Sequence, residues 1–272
     1  MPSYSPGSLS GSCLDRTYQL DTVISMLLEA PDGHIAYNRT GGAGAEIVFC
    51  GGFRSNMAGT KALALESHCA NIGVAFTRFD YRGHGESDGA FTDGTIGQWL
   101  DDTLAVLDGI VQGPAVLVGS SMGAWIALLA ARARPDRVKG MVLVAPAVDF
   151  TETLIWERLP AKDRETLQRD GVWLRESDYV DEPDRITLKL IEEGRNHLLF
   201  GRPIPFDGPV RILHGMADET VPWQFATRTA ESLTAADVIV TLVKNGDHRL
   251  SDEGSLSRLM GAVDEVVKIA AS

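Results

Sequence analysis

The chain has 272 residues, 44% of them hydrophobic and 23% charged, which suits one compact α/β domain with a modest insertion. A formal net charge of −12 argues against a nucleic-acid partner, because binding to phosphate backbones relies on a basic field. No apolar run reaches the roughly 18 residues needed to span a bilayer, so no integral membrane association is expected. In chain order, residues 1–17, rich in Ser, Gly and Pro, read as a flexible tail, with structure beginning near Tyr18. The opening residues also lack the basic start and apolar core of a secretory signal. Cys13, Cys50 and Cys69, odd in number and without metal-ligand or CxxC spacing, read as small buried apolar residues of a reduced, cytoplasmic protein.

Two early strands are expected at Val23–Glu29 and His34–Arg39, around the turn signal Pro31-Asp32-Gly33. Further strands are read at Glu46–Cys50, Val74–Asp80, Ala115–Gly119, Val138–Ala145, Val210–His214 and Val238–Val243. These are apolar on both faces, as strands of a sheet covered on both sides must be. Helical periodicity falls between them at Gly59–Asn71, Gly97–Ile110, Met122–Arg134, Trp223–Leu233 and Leu256–Ala270. The alternation predicts an α/β fold: a mostly parallel, doubly wound sheet of about eight strands, with its site at the strands' carboxyl ends. From Asp149 to Phe206 the rhythm stops, and charged amphipathic patterns at Thr151–Leu159, Asp163–Arg169 and Arg185–Glu193 predict a helical cap. The expected organisation is therefore a core of residues 18–148 and 207–272 interrupted by a cap over 149–206.

Gly119-Ser120-Ser121-Met122-Gly123 fits the G-x-S-x-G pattern of a nucleophile elbow, but so does Gly85-Glu86-Ser87-Asp88-Gly89. Context separates them. Ser121 has a buried strand before it and an apolar helix after it, and its flanking glycines remove side chains from a tight turn. The helix amino terminus also directs its dipole at a developing oxyanion. Ser87 sits in a polar loop and is read as a turn residue. Ser121 is the expected nucleophile.

A serine hydroxyl needs a base, usually His, and the His needs a carboxylate to fix its tautomer. In this fold the order along the chain is Ser, Asp or Glu, then His. His197, His214 and His248 follow Ser121, and His248 occupies a turn between the last strand and the last helix, where it can reach the elbow. His197 falls in the expected cap and His214 ends a strand, a structural position. Asp218, in the loop after Val210–His214, is the expected acid; Asp149 is the alternative and Asp247 reads as a solvated turn residue. For the oxyanion hole, one backbone N–H is assigned to Met122 and the second to Phe53, following Gly51-Gly52; a plain strand-exit loop is the competing account of those glycines. No metal or organic cofactor is called for by this chemistry.

These residues resemble the α/β-hydrolase superfamily along nearly the whole chain from about Val23, including the loop Phe79-Asp80-Tyr81-Arg82-Gly83-His84-Gly85-Glu86-Ser87, in which His84 reads as loop-shaping. A closer likeness, to the mitochondrial α/β-hydrolase domain-containing protein ten family, lies in Gly59–Ala64, Leu117–Trp125, Gly171–Trp173, Leu213–Trp223 and Asp247–Arg249. That family is regarded as thioesterases of S-acylated cysteine and esterases of acyl glucuronides. The resemblance implies a triad of Ser121, Asp218 and His248, with a small-molecule acyl ester or thioester, or an S-acylated protein, as substrate. The chain departs from it in lacking an Arg-rich amphipathic transit segment, and its many Ala and Arg residues and few Lys point to a bacterial member. Amide cleavage on the same residues and non-catalytic binding on the same scaffold are the rival readings. Trp156, Trp173 and Leu154 could face an acyl group, or equally pack cap onto core.

Overall fold

The computed structural model describes residues 25–175 and 183–271. The tail expected over 1–17, the start near Tyr18 and the first residues of the first strand lie outside them, as does Cys13. All eight expected core strands form: β1 (Met26–Ala30), β2 (Gly33–Thr40), β3 (Ala43–Cys50), β4 (Val74–Phe79), β5 (Ala115–Ser120), β6 (Val138–Val144), β9 (Val210–Gly215) and β10 (Val238–Val243), with β7 and β8 in a separate sheet described below. They join in the order β1-β2-β4-β3-β5-β6-β9-β10. The pairs β1–β2 and β2–β4 are antiparallel, and every pair from β4 to β10 is parallel.

Side-chain alternation divides this sheet between two cores. Val48, Leu117, Met141 and Leu143 face the helices α2 (Ile96–Gly109) and α3 (Met122–Ala133), where Trp99, Leu107, Trp125 and Ile126 are buried. Ile47, Phe49, Val116, Val118 and Val142 face α1 (Thr60–Ile72) and α7 (Glu253–Ala270), against Leu65, Val263 and Val266. This two-sided burial is why the strands are continuous apolar runs. Cys50 and Cys69 are free and buried, one in each core, and burial pushes both thiols up to about 12.

After β3 the chain crosses to β4 on one side, whereas β5 lies on the other side of β3. Such a reversal leaves a crevice at the carboxyl ends of the two diverging strands. The loop 51–59 leaves β3 at that end, and Ser121 follows β5.

Between β6 and β9 the structure departs from the helices-only expectation. A single π-helical turn (Thr151–Ile155) and a 3₁₀ turn (Trp156–Arg158) precede α4 (Ala161–Asp170), but β7 (Val172–Arg175) and β8 (Asp184–Thr187) then form a two-stranded antiparallel sheet before α5 (Leu188–Gly194). The helical pattern expected from Arg185 therefore starts as strand, with β-branched Ile186 opposite Trp173 and Thr187 opposite Val172. Thr187 then caps α5 by accepting the Leu190 N–H at 3.1 Å. Asp149, at φ 57°, holds this segment by accepting the N–H groups of Leu199 and Phe200, each at 2.8 Å.

Candidate active site

Ser121 occupies the one-residue step between β5 and α3, at φ 55° and ψ −118°, a conformation non-glycine residues rarely adopt. The surroundings enforce it. The Ser121 N–H donates to the Val144 carbonyl at 2.8 Å, and the Ser121 carbonyl accepts from Ala124 and Ala147. A Cβ at Gly123 would lie 2.1 Å from the Cys50 carbonyl oxygen, so only glycine lets α3 start this close to the end of β3. The adjoining helix is apolar all round, with Met122 through Ala131 buried, so its amino end is fixed by packing.

His248 and Asp218 converge on this turn from the loops after β10 and β9. The Ser121 hydroxyl lies 3.1 Å from His248 Nε2, and His248 Nδ1 lies 2.7 Å from Asp218 Oδ2. The tautomer follows: with Nδ1–H donating to the carboxylate, Nε2 is left to accept the serine proton. Asp218 Oδ1 accepts the N–H groups of Thr220 and Val221, at 2.9 and 2.8 Å. The side chain is fully buried. Burial alone would raise its pKa, but hydrogen bonds from His214 and His248, the His248 charge and the Val221 N–H together hold the carboxyl well below the usual range.

His214 carries more than its strand position predicts. It is fully buried, and its Nε2–H is shared between the Val221 carbonyl at 2.9 Å and Asp218 Oδ2 at 3.1 Å, so the acid has an imidazole donor on each side. The i,i+4 spacing of His214 and Asp218 was the available signal, but in a strand-to-loop passage that spacing has no fixed geometry. The other sequence candidates lie elsewhere. Asp149 docks the inserted segment, His197 pairs with Glu193 at 2.6 Å, and Asp247 Oδ1 accepts the Leu250 N–H in a turn. Ser87 is structural, its hydroxyl donating to the Asp80 carbonyl at 2.6 Å and accepting the Ala36 N–H at 2.8 Å.

Phe53 and Met122 both border the Ser121 turn, and neither backbone N–H has an acceptor among the described residues. Gly52 is close against the elbow, where a Cβ would sit 3.5 Å from Ser121 Cβ. A cavity of about 420 Å³ opens over Ser121 and His248. Phe53, Ala147, Phe150, Leu154 and Val221 supply its apolar wall; Ser55, Asn56, Lys61 and Ser251 supply a polar one. Lys61 Nζ donates to the Arg249 carbonyl at 2.5 Å, and burial lowers its pKa to about 8. Of the apolar and aromatic cap candidates, Leu154, Trp156 and Trp173 all pack against the core, and Leu154 also lines the cavity.

A strand-turn-helix nucleophile elbow, a sheet of this order and loops that bring Asp and His to the elbow define an α/β-hydrolase. A sequence model of the family described as serine aminopeptidase, S33, matches residues 42–174. The palmitoyl-protein thioesterase ABHD10, mitochondrial, of Bos taurus is 41% identical over 247 residues, covering 90% of this chain and 80% of that protein. The solved structure of mouse α/β-hydrolase domain-containing protein 10 superposes with a TM-score of 0.84 at 38% identity, over 90% of this chain and 98% of that one. A putative hydrolase from Agrobacterium vitis S4 does so with a TM-score of 0.86 at 42% identity and the same coverage. The chain belongs to the ABHD10 family of α/β-hydrolases.

Proposed function

We propose that the chain is a serine hydrolase of carboxylic thioesters and esters, with Ser121 as nucleophile, His248 as base and Asp218 as the orienting acid. The observation that carries this reading is the unbroken chain of contacts from Ser121 Oγ to His248 Nε2 and from His248 Nδ1 to Asp218 Oδ2. His248 takes the Ser121 proton as the hydroxyl oxygen attacks the acyl carbon. The carbonyl oxygen becomes negative within reach of the Met122 and Phe53 N–H groups, and removal of one such donor from a hydrolase costs roughly 3–4 kcal/mol. The imidazolium then protonates the departing thiolate or alkoxide, leaving an acyl ester on Ser121. Water, deprotonated by the same imidazole, attacks that ester and releases the acid, with the proton returned to Ser121.

The thioester half of the reading is supported by the activity in the ABHD10 name. The apolar wall of Phe53, Phe150 and Leu154 suits an acyl group and the polar wall a leaving group, an S-acylated cysteine of a protein being one candidate. Residues 149–206 are taken as the cap over this site. A reducing compartment suits the free cysteines, and the cytoplasm is the location we propose, whereas the mammalian relatives carry "mitochondrial" in their names. Among the described residues no helix is long and apolar enough to cross a membrane.

The test is a fluorophosphonate probe together with turnover of acyl thioesters and p-nitrophenyl esters of increasing chain length. Labelling and turnover should both vanish in Ser121→Ala; an unlabelled, inactive wild type would make the chain a binding protein. The description of the matched family as a serine aminopeptidase favours amide cleavage as a second reading. An aminoacyl p-nitroanilide in the same assay decides it: faster turnover than of the matched ester would replace the first reading.

A further inference from the structure

The loop Asp80–Gly89, which the proposed chemistry does not use, touches the loop 51–59 at two points. Asp80 Oδ1 accepts the Met57 N–H at 2.7 Å, and His84 Nε2 accepts the Arg54 N–H at 3.2 Å. The second contact falls one residue after Phe53. Arg54 stands at φ 58°, a left-handed conformation that a non-glycine residue holds only when its surroundings impose it. The partner side of the contact is firmly built. His84 is 5% exposed, its N–H donates to the Tyr81 carbonyl at 2.9 Å, and its carbonyl accepts the Ser87 N–H at 3.0 Å. Asp80 Oδ2 accepts the Glu86 N–H at 2.9 Å, closing the same loop from the other side. The His84 ring packs on Phe91 and Trp99, with centroids 5.1 and 5.2 Å away, and Phe53 packs on the same two rings at 4.8 and 6.0 Å.

We infer that His84 is a positioning residue for the oxyanion hole: its Nε2 lone pair fixes the Phe53–Arg54 peptide and so holds the Phe53 N–H toward Ser121. The inference rests on the proposed hydrolase reading. It requires an imidazole that stays neutral with its proton on Nδ1. Burial supplies this, lowering the His84 pKa to about 4, with the Arg54 charge acting in the same direction against an opposing Arg82 backbone contact. A second proton would sit on Nε2, donor against donor with the Arg54 N–H at 3.2 Å, and would break the contact.

The test compares side chains of matched size that differ in the acceptor. His84→Phe keeps a ring on Phe91 and Trp99 but offers no lone pair. His84→Gln and His84→Met share one length, and only Gln can accept the Arg54 N–H. In His84→Phe and His84→Met, kcat for a p-nitrophenyl ester should fall about ten- to a hundred-fold, the scale of a misplaced active-site group, with KM within about twofold. The inhibition constant of a boronic acid, which forms a tetrahedral adduct on Ser121, should rise in parallel, and His84→Gln should recover most of both losses. Equal kcat in the Gln and Met variants would overturn the inference, as would a kcat loss without weaker boronate binding. If His84→Phe fails to fold, the Gln–Met pair still decides. Ser121→Ala run alongside separates the two readings: a variant that keeps turnover sinks the hydrolase assignment and this inference with it, whereas a dead Ser121→Ala beside fully active His84 variants sinks only the inference.

Discussion

At the scale of single residues, Asp218 is where the proposed chemistry and the stability of the molecule meet. Four hydrogen bonds converge on one buried carboxylate, two from backbone N–H groups and two from imidazoles. Replacing it by Asn keeps the shape but puts an NH₂ where an acceptor is needed, so His248 is turned to the wrong tautomer or released. Asp218→Asn should lower kcat by about 10⁴-fold, the size of that effect in a comparable triad. The stability consequence has a definite sign. Because the folded carboxyl lies below its unfolded value near 3.9, its contribution is present above that pH and disappears as pH falls through the folded pKa. Urea unfolding of wild type and Asp218→Asn should therefore show the wild type more stable at pH 7 and the gap closing towards pH 2. A gap that stays constant with pH would mean that Asp218 is not held as a carboxylate.

At the scale of elements, the elbow depends on β3, β5 and α3 approaching one another more closely than side chains allow. A Cβ at Gly123 would meet the Cys50 and Gly51 carbonyl oxygens at 2.1 and 2.4 Å, and one at Gly119 would meet Ala124 Cα at 2.6 Å. These neighbours are backbone atoms, which cannot swing aside. Gly123→Ala should cost about 3 kcal/mol or more, at the upper end of overpacking, and should abolish probe labelling of whatever protein folds. Denaturant unfolding and labelling check it, and a stable, fully labelled variant would refute the close approach. This is also why the core was legible in the sequence: strands buried on both faces and a helix apolar all round leave long, unambiguous patterns, and the glycines beside Ser121 mark the contact. The two-stranded sheet of β7 and β8 was not legible, because strands of four residues are too short to display alternation and Arg185–Thr187 runs directly into a helix. The work of His84 and His214 was hidden for another reason. His84 acts on Arg54, thirty residues away, through a tertiary hydrogen bond, and the i,i+4 spacing of His214 and Asp218 has no fixed geometry outside a helix, so neither pattern distinguishes such a histidine from one that merely fills space.

At the scale of the whole molecule, the site is held in two ways. The elbow is fixed inside the core, through hydrogen bonds from β5 to β6 and the packing of α3, whereas the cavity's outer wall comes from the segment between β6 and β9. That segment packs into the core through Ile155, Leu167, Ile186, Leu190 and Leu199, and polar contacts add to this. Glu193 accepts the Gly97 N–H at 3.1 Å, at the start of α2, and Asp184 accepts from Arg54 of the core at 2.8 Å and, within the segment, from Arg175 at 2.6 Å. Asp184 is 8% exposed while Arg54 and Arg175 are 30% and 36% exposed, so solvent screens the attraction and the carboxylate is worth about 1–2 kcal/mol, less than a fully buried pair. Such a contact is strong enough to shape the cavity and too weak to hold the fold. Asp184→Asn should lower Tm by only about 2–8 °C. Because the variant alters the cavity wall proposed to meet the substrate and leaves the Ser121–His248–Asp218 contacts in place, KM for acyl substrates should rise several-fold with kcat within about twofold, the signature of lost uniform binding. Steady-state kinetics across the chain-length series checks this, and a fall in kcat at unchanged KM would show instead that the Asp184–Arg54 contact reaches the oxyanion loop and that the two halves of the site are not independent.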